Sequence, residues 1–185
     1  MEWGAVFERG LEYEAFLERF GTEDQRARWR AVFERTQLSE GQRQLLRSFV
    51  REMKVIVVAG AWCGDCVNQC PIFARFAEEA PVIRLRFFDR DAFPVLADEL
   101  SICGGRRVPS VLFLSEDDYP CGRYGDRTLS KYRQMVASLS GVACPTGVAE
   151  PDDLHAAVVQ EWLNEFERIQ WMLRTSARLR QIHGD

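Results

Sequence analysis

Ala59-Gly60-Ala61-Trp62-Cys63-Gly64-Asp65-Cys66-Val67-Asn68-Gln69-Cys70-Pro71 decides how this chain folds. Before it runs Val55-Ile56-Val57-Val58, an apolar tetrad that reads as a buried strand. After it come Ile72, Phe73, Phe76 and Ala77, apolar positions at helical spacing. A Cys-x-x-Cys between a strand and a helix start places its first sulfur near unpaired backbone N–H groups, whose partial positive charge favours thiolate over thiol. The second sulfur sits one turn further in, close enough to close a disulfide. The layout is that of a dithiol that is oxidised and reduced.

These residues resemble the thioredoxin superfamily over roughly Lys54 to Leu139. Trp62-Cys63-Gly64-Asp65-Cys66 is similar to the family's Trp-Cys-Gly-Pro-Cys, with Asp65 in place of the proline. Pro71 matches the proline that kinks the family's active-site helix, and Val108-Pro109-Ser110 matches its cis-proline loop. Gly104-Gly105-Arg106-Arg107-Val108-Pro109 and Gly125-Asp126-Arg127 resemble, more narrowly, a bacterial branch of stand-alone thioredoxin-like proteins with a helical N-terminal extension. The resemblance implies a three-layer α/β/α sandwich with a mixed central sheet. It also implies that Cys63 attacks, Cys66 resolves, Val108 pairs with substrate backbone and Trp62 forms an apolar lip. One departure stands beneath the dithiol: the family keeps a buried carboxylate six residues before the attacking cysteine, and that position is Val57.

The 185 residues suit one compact unit. Its expected parts are a helical N-terminal extension over 1–53, a thioredoxin-like core over 54–140, and a loop with a long C-terminal helix over 141–185. A formal charge of −4 argues against nucleic acid as a partner, because phosphate binding needs a concentrated basic face. Met1 to Arg9 lacks the basic start and apolar core of a signal peptide, and no apolar run approaches the roughly 20 residues that span a bilayer. A reducing cytoplasm is the expected location. There, six cysteines serve catalysis, metal binding or packing more readily than structural disulfides.

Phe7, Leu11, Phe16, Leu17 and Phe20 form a first helical set, weakened by Gly10. Thr22 with Gln25, and Ser39 with Gln42, have capping-box spacing. The last of these helices is expected to carry Leu45, Leu46, Phe49, Val50 and Met53 on one face. Further on, Val82–Phe88 reads as a strand, Pro94 opens a short helix to about Ser101, and Gly104-Gly105 ends it. Val111–Leu114 and Tyr119–Tyr124 read as a hairpin, and Leu129, Tyr132, Val136 and Leu139 mark a helix. Ser140–Glu150 reads as a loop. Pro151-Asp152-Asp153 then opens a helix with Leu154, Val158, Trp162, Phe166, Ile169 and Leu173 in one stripe. That stripe reads as packing, with a dimer seam as the alternative.

Among the other cysteines, Cys70 reads as a packed small hydrophobe or a second resolving thiol, and Cys103 as a thiol near the dithiol. Cys121 and Cys144 carry no motif. Cys63, Cys66, Cys70 and Cys103 together fit a four-thiolate metal site on paper, but the thioredoxin layout accounts for two of them without metal. His155 and His183 neighbour no nucleophile, and no phosphate-binding glycine loop appears. Electrons are therefore expected from a reductase partner or a small thiol, with no bound cofactor. Gly64, Asp65 and Arg107 are the expected tuning residues. Asp65 should point to water and make the dithiol more reducing, while Arg106 and Arg107 either favour the Cys63 thiolate or face solvent. The function expected is thiol–disulfide exchange, within cell redox homeostasis; the alternative is a non-enzymatic module of the same fold that binds a partner or senses redox state.

Overall fold

A computed structural model of the chain describes residues 1–137 and 153–185. Its centre is β1, Met53–Ala59, in which Met53, Val55, Ile56, Val57 and Ala59 have no exposed surface. A strand apolar on both faces must have elements packed on both sides. On one side β1 pairs in parallel with β2, Ile83–Asp89, with Val57 opposite Phe87. On the other it pairs antiparallel with β3, Ser110–Leu114, with Val57 opposite Val111. Outside β3 lies antiparallel β4, Pro120–Gly125, so the sheet order is β2-β1-β3-β4. A parallel neighbour requires a crossover, and α5, Gly64–Glu79, supplies it between β1 and β2. The helix α6, Pro94–Glu99, links β2 to β3, and α7, Leu129–Ala137, follows β4.

The chain before β1 forms four helices: α1 Trp3–Phe7, α2 Tyr13–Phe20, α3 Glu23–Arg35 and α4 Glu40–Arg47. Thr22 and Ser39 cap α3 and α4, each in a complete capping box with the glutamine three residues on. The apolar set from Phe7 to Phe20 is not one helix. At Gly10 the backbone passes so near β2 that a Cβ would sit 2.6 Å from the Cβ of Arg86 and from the Phe88 ring. The chain opens there, and Leu11 exchanges both backbone hydrogen bonds with Phe87, at 3.0 and 2.7 Å. The expected face running from Leu45 to Met53 also breaks, because α4 stops at Arg47 and Met53 begins β1. The cause is tertiary. The buried Gln170 side chain accepts the Val50 and Arg51 N–H groups and donates to the Arg51 carbonyl, which holds this segment out of a helix. Val50 is consequently exposed.

At the other end, Asp153 caps α8, Leu154–Thr175, by accepting the Ala156 N–H. Val158, Trp162, Phe166, Ile169 and Leu173 form its buried stripe, with Leu154 partly covered. Trp162 meets Phe73 of α5 edge to face at 4.4 Å, and Phe166 meets Phe113 of β3 at 5.1 Å. The stripe therefore packs within the chain. A separate short helix, α9, Ala177–His183, follows. Leu139, Cys144 and the loop expected over Ser140–Glu150 lie outside the described residues. Among those described, no helix is long and apolar enough to cross a membrane.

Candidate active site

The turn from β1 into α5 carries the dithiol. Gly60 is required there, since a Cβ would sit 2.7 Å from the Trp62 indole. The Cys63 N–H closes the turn onto the Gly60 carbonyl at 3.0 Å. The buried Trp29 indole, from α3, donates to the Ala61 carbonyl at 2.9 Å and ties the N-terminal helices to this turn. Cys63 occupies the N-cap of α5 in extended conformation, without a side-chain cap bond. Its thiol lies 3.6 Å from the Val108 carbonyl. Cys66, one turn in, is fully buried and accepts the Gly60 N–H at 3.5 Å. Both thiols are free. The Val108–Pro109 peptide bond, facing them, is cis.

Electrostatics corrects one expectation about Cys63. The backbone N–H groups of Cys66 and Asp65 do favour its thiolate, but the hydrogen bond with Cys66 and partial burial outweigh them, and its thiol is held well above the ordinary range. Burial pushes Cys66 up as well, against the hydrogen bond from Cys63. The two titrate as a unit. At Val57, which is wholly enclosed, there is no charged group to offset these upward shifts.

Asp65 does not point to water. Its side chain is 19% exposed and pairs with Arg127 at 2.6 Å. Arg127 also holds Asp126 at 2.9 Å, and Asp126, 3% exposed, takes the Tyr132 hydroxyl as well. Burial opposes the Asp126 charge, yet Tyr132, a backbone N–H, Arg127 and Arg107 together keep its carboxyl below the usual range. Gly125 permits this approach: at φ 132°, a Cβ there would lie 2.3 Å from the Pro109 carbonyl oxygen. The C-terminal helix supports the same corner, for Trp162 donates to Gln69 at 2.8 Å and Gln69 donates to the Asp126 carbonyl at 2.9 Å.

An open groove of about 570 Å³ runs past Cys63. Trp62, 43% exposed, forms part of its wall, with the Arg90 guanidinium 4.4 Å from its ring centroid. Val108 and Arg107 line it from the cis-proline side. The two adjacent arginines divide: Arg106 grips Asp98 with two bonds of 2.5 and 2.7 Å, while Arg107 reaches Asp126 only at 3.5 Å. Cys70 is buried one turn below Cys66 and hydrogen-bonds with it. Cys103 is exposed and does not line the groove. Cys121 is half-buried on β4, donating to the Tyr119 carbonyl at 3.4 Å. Among the described residues no three His, Cys, Asp or Glu side chains gather into a metal-holding group.

Sequence reasoning passed over Asp126, Arg127, Tyr132 and Arg90 as parts of the site. The signal for the first two was present in Gly125-Asp126-Arg127, but nothing in the sequence indicates that Arg127 folds back onto Asp65.

Residues 10–140 match the family model described as thioredoxin, and the chain belongs to that family. Among solved structures it is similar to a protein of unknown function from Pseudomonas aeruginosa, with a TM-score of 0.71 at 18% identity over 91% of this chain and 96% of that one. It is also similar to an HIV epitope scaffold, with a TM-score of 0.67 at 18% identity over 91% and 97% of the two chains. Both likenesses concern the fold. Among curated proteins none matches the chain.

Proposed function

We propose that this protein is a thiol–disulfide oxidoreductase that reduces disulfides through Cys63 and Cys66. The observation that carries the reading is the pairing of an accessible sulfur at the head of α5 with a buried one a turn behind it, hydrogen-bonded together. Cys63 loses its proton and attacks one sulfur of the substrate. The substrate S–S bond breaks, its first half leaves as a thiolate that takes up a proton, and a mixed disulfide remains on Cys63. Cys66 then loses its proton and attacks the Cys63 sulfur, releasing the second half as a thiol. Two electrons pass to the substrate and a Cys63–Cys66 disulfide is left. A reductase or small thiol restores the dithiol.

Trp62, Val108 and Pro109 provide the contact surface, with Val108 offering backbone to an extended substrate by strand addition. A cytoplasmic setting suits this direction of electron flow. The enclosed Val57 favours one second reading, a slow redox-sensing or partner-binding module, since no base assists Cys66. Reduction of insulin disulfides by wild type and Cys63→Ser decides between them. The oxidoreductase reading expects turnover that the serine abolishes; absence of wild-type turnover with an intact, reversible Cys63–Cys66 disulfide would leave the sensor.

A further inference from the structure

The groove beside Cys63 has an uneven distribution of charge. Its lining includes four arginines, Arg90, Arg106, Arg107 and Arg127, and two carboxylates, Asp65 and Asp126. The carboxylates lie at the bottom, 19% and 3% exposed, and both are bound to Arg127. The arginines of the loop before Pro109 lie at the rim, Arg106 44% and Arg107 43% exposed. Arg106 and Arg90 are each held by a neighbouring aspartate outside the lining, Asp98 and Asp91. Arg107 is the least tightly held by carboxylate of the four: it approaches Asp126 only at 3.5 Å, a group that Arg127 and Tyr132 already satisfy, and its other partner is the Tyr132 hydroxyl. It immediately precedes Val108, whose carbonyl touches the Cys63 thiol. A guanidinium that keeps donors to spare, in the groove that Cys63 also lines, is suited to a carboxylate by two parallel bonds.

Building on the oxidoreductase reading, we propose that the preferred substrates are disulfides carrying a carboxylate close to the sulfur, and that Arg107 is the residue that selects them. A substrate carboxylate seated on Arg107 brings its disulfide to Cys63, on the side where Val108 offers backbone. A cationic disulfide meets the same arginines and is disfavoured. The chain as a whole is acidic, so the preference is local to this groove and weakens with salt as exposed charges do.

The test uses the intact, pre-reduced protein and three disulfides of similar size: the dianion of 3,3′-dithiodipropionate, neutral hydroxyethyl disulfide and dicationic cystamine. Single-turnover oxidation of the dithiol by each is divided by the rate for dithiothreitol under the same conditions, which removes the intrinsic reactivity of each reagent. The normalised rates should fall in the order dianion, neutral, dication. The dianion should lead the neutral compound by about tenfold at low salt, a size typical of local electrostatic focusing, and the lead should shrink at high salt. Arg107→Gln should cut the dianion-to-neutral ratio severalfold, and Arg107→Glu should invert it. Three equal normalised rates, or a preference that survives Arg107→Glu, would overturn the proposal. Failure of all three reagents to oxidise the dithiol would instead remove the oxidoreductase reading on which it rests.

Discussion

The first turn of α5 has two unlike sides. Outward, Cys63 stands beside an ion-paired lattice in which Asp65, Arg127 and Asp126 are joined and Tyr132 is bonded to Asp126. Inward, Cys66 is fully buried, accepts the Gly60 N–H and hydrogen-bonds with Cys70. Ionised side chains line the groove that Cys63 borders, whereas burial is the largest influence on the Cys66 thiol. The outer side is therefore open to adjustment by electrostatics, while on the inner side the enclosed Val57 offers Cys66 no base.

The largest effect separates the two sulfurs themselves. Cys63→Ser should remove disulfide reduction altogether, whereas Cys66→Ser should allow attack and stop at the mixed disulfide, visible as a mass adduct on the intact protein. An adduct that forms on Cys66 in the Cys63→Ser protein would reverse the two roles. Next comes pH. Because the Cys63 thiol is held above its ordinary range, its thiolate is scarce at neutral pH. Alkylation at Cys63 should then rise about tenfold per pH unit above neutrality, with Cys66 labelled later at every pH. A plateau below pH 7 would mean that the helix end, not the pairing of thiols, governs ionisation.

Supplying the missing base should sharpen the contrast. In single-turnover release of a chromogenic thiol from the Cys63 mixed disulfide, Val57→Asp should speed the second step roughly a hundredfold, the low end of general-base assistance. Burying the acid costs several kcal/mol, so its denaturation midpoint is measured alongside. A folded variant with an unchanged rate would show that another group takes the Cys66 proton. The smallest effects lie on the outer side. Arg127→Gln frees the Asp65 charge and should slow Cys63 alkylation about threefold at fixed pH, a change of less than 1 kcal/mol as befits a partly exposed pair. Asp65→Asn should change it by less, in the opposite direction. A larger response to Asp65→Asn would mean that Arg127 does not neutralise it.

The same division explains what could be read in advance. Continuous apolar runs at 55–58 and 111–114 place the central strands, and the capping boxes at Thr22 and Ser39 place two helices, because those signals are local. Helix boundaries were lost where a distant side chain prevails: Gln170, far along the chain, holds Val50 and Arg51 out of α4. The close passage at Gly10 is likewise set by β2. The two cysteines and the cis-proline loop were legible as a motif. The lattice around Asp65 was not, since a bond between residues 65 and 127 depends on how β4 and α7 deliver the second residue to the first. Trp29 and Trp162 illustrate the same limit. Both had the apolar character of core residues, and nothing local revealed that each indole N–H also fixes a polar group in or beneath the corner that carries the dithiol.

The bridge at Leu11 has a consequence for self-association. An uncovered edge strand is a template on which a second molecule can add a strand, and growth of that kind leads to fibres. Leu11 sits on Phe87 and uses both backbone groups that a foreign strand would need there. At the opposite edge β4 begins with Pro120, which has no N–H to offer. The close passage that glycine allows at position 10 thus occupies a ladder position on the β2 edge: the segment that gives up helix there takes the place at Phe87 that a second molecule's strand would use.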